Sequence, residues 1–223
     1  MKSRKRTAPG PARATRRPVA KRAGAFHHGD LEWAILEAAS QLLEKEGPLG
    51  VGLRAAARLA GVSHTAPYRH FENRESILAA LAERGLLDLA DRIAAAARGR
   101  ANALESLAAI AETYVTMASE RPHRFRLMFG PELAGKERHP AVRDAGLRAH
   151  HLLVATIVEG QRQGIVRAGD PVDLALAHWS TVHGMASLLV DGLLTDRAQA
   201  PGGPAALGRL AAEQIRLGLA PRP

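Results

Sequence analysis

The stretch GVSHTAPYRHFENRE, residues 61–75, follows eight residues of helix-forming sequence, LRAAARLA, and its reading decides the fold. Gly61 breaks the first run and suits a left-handed turn position. Ser63 is placed to cap a second short helix over 64–70. Two short helices joined by a tight turn containing Gly match a helix-turn-helix unit. Ala56, Leu59 and Ala60 are expected to face inward where the helices cross, with Val62 plugging the corner. An ordinary surface helix would turn Glu and Lys outward; this one presents Thr65, Tyr68, Arg69 and His70. In a docked helix-turn-helix the first residues of the second helix meet base edges and later Tyr, His and Arg side chains bond phosphates. A tyrosine ring packs on protein while its hydroxyl reaches a phosphate, whereas Glu would repel it. The pattern predicts a face built for a polyanion.

The rest of the chain gives that corner its setting. Its 223 residues are 46% hydrophobic with Ala and Leu dominant and few β-branched runs, which predicts an all-α protein. A helix is expected over 30–45, capped by Asp30, with Leu31, Ala34, Ile35, Ala38, Leu42 and Leu43 as its buried stripe. Others are expected over 53–60, 75–97, 103–119, 123–129, 138–163, 171–190 and 204–218. Asp170, Pro171 and Asp173 mark the start of the 171–190 helix most clearly, as cap, first helical residue and dipole partner. The organisation read from this is a disordered basic arm over 1–29, a helix-turn-helix domain over 30–78, a connecting helix and linker over 79–102, and a second helical domain over 103–220.

The net charge of +9 is concentrated at the start. Residues 1–29 hold nine Lys and Arg and no acid, and the remaining 22 cations balance 22 acids. Such an arm suits polyanion binding through counterion release, without reading sequence; a solvated tail with no role is the open alternative. The longest uncharged run, 174–190, falls short of a bilayer span and carries His, Trp, Thr and Ser, so no membrane partner is expected. With no cysteine, thiolate chemistry is excluded and a cytoplasmic chain is expected.

Over residues 30–78, with ILEAASQLLEKEG and LRAAARLAGVSHTAPYRHFENRESIL in order, the chain resembles the N-terminal domain of the TetR family of bacterial transcriptional regulators. The resemblance implies a recognition helix presenting Ser63, His64, Thr65, Ala66, Tyr68 and Arg69. It implies a base or phosphate contact from Arg54, and phosphate anchors in Tyr68, His70 and Arg74. A structural histidine is the alternative for His70. Pro67 departs from the leucine many members carry; it removes the bond to the Ser63 carbonyl and threatens a kink.

The second domain carries no G-x-S-x-G elbow, H-E-x-x-H or P-loop, so no catalytic residue and no cofactor is expected. Six histidines lie there. His150 and His151 diverge on a helix and His178 and His183 are five apart, so they are read as core or pocket groups, with no metal site. HWSTVHGMASLLVDG and YVTMASERPHRFRLMFGPEL resemble TetR-family members whose C-terminal domain is named for W-x-x-x-H-G, here Trp179, His183 and Gly184. That resemblance implies a four-helix dimer interface from helices 171–190 and 204–218 and an effector pocket among the others. Tyr114, Phe125, Met128, Phe129, His150, His151, Trp179 and His183 are the pocket candidates, for a mostly apolar ligand. The expected protein is a homodimeric repressor released from a palindromic DNA operator by a small molecule. The rival is an enzyme or small-molecule-binding helical protein with a vestigial DNA-binding domain.

Overall fold

The computed structural model describes residues 28–133 and 138–221. The described residues are helical, with no strand among them, and no helix is long and apolar enough to cross a membrane. Helix α1 spans His28–Glu46, α2 Leu53–Ala60, α3 Arg74–Ala97, α4 Ala103–Glu120, α5 Pro122–Phe129, α6 Pro140–Arg162, α7 Pro171–Val190, α8 Thr195–Gln199 and α9 Gly203–Leu219. All but the last two residues of the basic arm lie outside the described residues.

Helix α1 begins two residues before the expected cap, so Asp30 sits inside its first turn. Its stripe is close to expectation: Ile35, Ala38, Ala39, Leu42 and Leu43 are buried, while Leu31 and Ala34 are half-buried. In α2 the inward face is Leu53, Ala56 and Ala57; Leu59, expected inside, is half exposed. Gly61 (φ 70°, ψ 28°) closes the helix with a paired cap, Gly61 N–H to Arg58 C=O and Val62 N–H to Ala57 C=O. Helix α3 is the spine. Asn73 caps it with a reciprocal Asn73–Ser76 capping box, and it runs unbroken past residue 79. Its first half buries Ile77, Leu78 and Leu81 in the same cluster as Ile35 and Leu42 of α1; its second half sends Leu86, Leu89 and Ile93 among the later helices.

Helices α3, α4, α6, α7 and α9 pack against one another as the larger helical body. Asp170 caps α7 through the Val172 N–H at 2.8 Å, with Pro171 first in the helix. Helix α9 lies so close on α4 that a Cβ on Gly208 would come 2.5 Å from the Glu112 Cα. The apolar character of α7 nearly all round suggests burial on several sides. Within one chain it buries Leu174, Ala175, His178, Val182 and Ala186 on one face and leaves Val172, Leu176 and Leu188 about half exposed on the other.

Candidate nucleic-acid interface and effector cavity

The segment after Gly61 is shorter and tighter than the α-helix expected over 64–70. It is a single 3-10 turn, Ala66–Arg69. Pro67 supplies no N–H, so the Ser63 carbonyl instead accepts from Ala66 N at 3.0 Å, in the i to i+3 pattern. Thr65 is the residue before the turn, and no side chain caps it; Ser63 Oγ lies 3.0 Å from Thr65 Oγ1 instead. Burial of Ala66 and Pro67 anchors the turn and leaves Ser63, His64, Thr65, Tyr68 and Arg69 outward, with Arg54 exposed on α2. The Tyr68 residue is 52% exposed.

Three residues read as DNA contacts are placed otherwise. Ala66 is 9% exposed and packs into the corner, so it offers no surface. The His70 ring turns back to α1, with Nδ1 3.3 Å from a Glu32 carboxylate oxygen and Nε2 buried. This corrects the phosphate-anchor reading toward the structural one. Arg74 donates from Nε to the Val51 carbonyl at 2.9 Å and from its terminal nitrogen to the Pro48 carbonyl, so its guanidinium holds the loop before α2. These partners lie far back in the chain, where no local pattern announces them.

The second site is a cavity of about 580 Å³ lined by α3, α4, α5, α6 and α7. Leu86, Leu89, Ile93, Ile110, Val142, Leu153 and Val182 make its apolar wall. Of the candidates, Tyr114, Met128, Phe129, His150 and Trp179 line it. Phe125, His151 and His183 do not. His151 is exposed on the outer side of α6, since consecutive helical side chains diverge by about 100°. Phe125 is buried beneath the wall and stacks on His183, with centroids 5.3 Å apart.

His183 touches the cavity wall through Tyr114. Tyr114 Oη is 2.8 Å from His183 Nδ1 and 3.4 Å from Trp179 Nε1. An indole nitrogen can only donate, so the phenol oxygen accepts from Trp179 while its hydroxyl also hydrogen-bonds with His183 Nδ1. Burial raises the Tyr114 phenol well above its usual value, so it stays protonated. His178 also lines the cavity, although no motif singles it out as a pocket residue. Its spacing is the signal that could have found it: it lies four residues after Leu174 and four before Val182, on their face. Among the described residues no three His or carboxylate groups converge as a metal site would require.

Comparison with known proteins matches both parts of the chain to one family. Residues 35–81 match the family described as bacterial regulatory proteins, tetR family, and residues 107–213 match the tetracyclin repressor-like C-terminal domain. The chain belongs to the TetR family. It is a DNA-binding transcriptional regulator with a ligand-binding C-terminal domain. A protein of unknown function from Rhodococcus sp. RHA1 is 35% identical to this TetR-family chain, over 88% of it and 99% of that protein, with a TM-score of 0.74. The TetR family regulator PfmR from Thermus thermophilus shares the fold at 24% identity, over 82% of this chain and 97% of that one, with a TM-score of 0.62. FadR from Bacillus subtilis, solved with stearoyl-CoA, shares it at 19% identity, over 84% and 98%, with a TM-score of 0.67.

Proposed function

We propose that this regulator is a homodimeric cytoplasmic repressor that leaves a palindromic operator when a small, mostly apolar effector enters the cavity. The observation that carries this reading is the pairing of an outward polar corner with an apolar cavity through one short helix. Met128 and Phe129 of α5 line the cavity, while Arg124 of the same helix donates to Ser40 of α1 at 2.9 Å. An effector that displaces α5 therefore pulls on the reading head, and affinity for DNA changes by its preference between the two states.

The dimer is supported by the outer faces of α7 and α9. Leu176, Leu188, Leu210 and Leu217 are about half exposed there, and a Cβ on Gly184 would meet nothing within 4 Å. Pairing these helices across a twofold axis buries both faces and gives Trp179, His183 and Gly184 the setting of the W-x-x-x-H-G class. Two corners would then enter major grooves one helical turn apart. An apolar effector is supported by the cavity wall, and the FadR neighbour was solved with a ligand that has a long apolar chain.

The test is fluorescence anisotropy on the duplex upstream of the gene for this chain. Thr65→Ala should weaken specific binding roughly tenfold while leaving random duplex unaffected, and Tyr68→Ala, which removes a phosphate contact, should weaken binding to both duplexes. Equal loss on both duplexes for Thr65→Ala would remove the operator reading.

A further inference from the structure

The cavity contains one polar side chain that the fold does not explain. His178 is 2% exposed, and neither ring nitrogen has a hydrogen-bond partner among the described residues. Its neighbours on the same face of α7 are Leu174, Ala175 and Val182, where a leucine would pack at no polar cost. A buried polar atom without a partner is costly, so such a group calls for a reason. Of the other polar groups of the wall, Tyr114 is shared between His183 and Trp179, Arg143 is exposed and paired with Asp144, and His150 is only half-buried, within reach of water. No Asp or Glu lines the cavity.

We propose that His178 recognises an uncharged oxygen on the effector, an alcohol or ketone carried by a mostly apolar skeleton. The inference rests on reading the cavity as the effector site. Burial pulls the imidazole down to about 4, so at neutral pH the ring offers one donor and one acceptor and no charge. A hydroxyl can use either nitrogen, and a ketone can use the donor. A carboxylate seated there would be a buried anion against a neutral ring, because the lining cation Arg143 is exposed and paired with Asp144, and an ammonium would meet no carboxylate. The oxygen is therefore selected by a polar atom that would otherwise be left bare, the arrangement that discriminates most sharply against analogues lacking it.

The test is displacement of the dye N-phenyl-1-naphthylamine from the full chain by 1-decanol, 2-decanone, decanoate and decylamine. The alcohol and the ketone should compete at roughly tenfold lower concentration than the two ions. His178→Phe should erase that advantage while holding the dye within about twofold, and His178→Gln should keep part of it. Ions that compete as well as the alcohol, failure of all four to compete, or a phenylalanine variant that keeps the preference would overturn the proposal. The ranking on the unmodified protein stands even if the variants fold poorly. Operator binding is read separately by anisotropy: its absence would end the repressor reading and leave the ranking untouched.

Discussion

Arg124 donates to Ser40 Oγ at 2.9 Å across the join between α5 and α1, and its Nε lies 3.1 Å from a Glu44 carboxylate oxygen. Arg124 and Ser40 are both buried. Replacing Arg124 by Met keeps the aliphatic stem but strands the Ser40 hydroxyl and leaves Glu44 with its more distant partner, Arg121 at 3.6 Å. Arg124→Met should cost about 1–3 kcal/mol in urea unfolding. It should also blunt effector release more than it weakens operator binding, because Arg124 touches the cavity helix and α1 but lies on neither reading face. Loss of both functions in proportion would make Arg124 a stability residue alone.

Gly208 gives a purely steric prediction. The atom facing its missing Cβ is backbone, the Glu112 Cα at 2.5 Å, and cannot swing aside. Gly208→Ala must push α9 away from α4, although alanine is the better helix former by about 1 kcal/mol. Overpacking of this kind costs about 1–3 kcal/mol, so a net loss of stability is expected, with a lower Tm by calorimetry. Because α9 carries half of the proposed dimer face, dissociation on dilution should also set in at higher protein concentration. A neutral or stabilising substitution would mean that the two helices tolerate separation.

The fold was legible where its cause is local. Asp170 and Pro171 announce the start of α7 by cap chemistry alone, and Gly61 announces the corner by its left-handed backbone. Pro67 was visible as a disturbance, but its outcome, a 3-10 turn sunk into the corner by burial of Ala66 and Pro67, depends on what lies beneath. His70 and Arg74 were misplaced for a related reason. Their partners, Glu32 and the Pro48 and Val51 carbonyls, come from segments the fold alone brings near. Of the aromatic candidates, Tyr114, Phe129 and Trp179 line the cavity because they share helical faces with apolar wall residues. His183 matched a signature and drew attention from His178, although the period of α7 puts His178 on the buried face.

The basic arm makes a prediction independent of the described structure. Deleting residues 2–25 removes all nine of its cations. Each phosphate they neutralise steepens the fall of log affinity with log salt by about 0.9. The truncated chain should show a shallower slope by that amount per lost contact, with its preference between operator and random duplex retained. An unchanged slope would assign the arm no role on DNA.

His178 links the cavity to acid stability. Its pKa falls from 6.5 to about 4 because burial penalises the charged ring, so the unfolded chain takes up this proton more readily than the folded one. Stability from the neutral ring is complete above pH 6.5 and is lost as pH falls toward 4, by up to about 3 kcal/mol. Other groups titrate in the same direction, including Glu75, which its hydrogen bond to His139 holds below its usual value. The contribution of His178 is therefore read as a difference. Urea unfolding of the unmodified chain and of His178→Phe at about pH 7 and about pH 4.5 should show the unmodified chain losing more stability on acidification. Equal losses would mean that the ring is already hydrated or partnered in solution, and the selection of an oxygen by His178 would lose its physical basis.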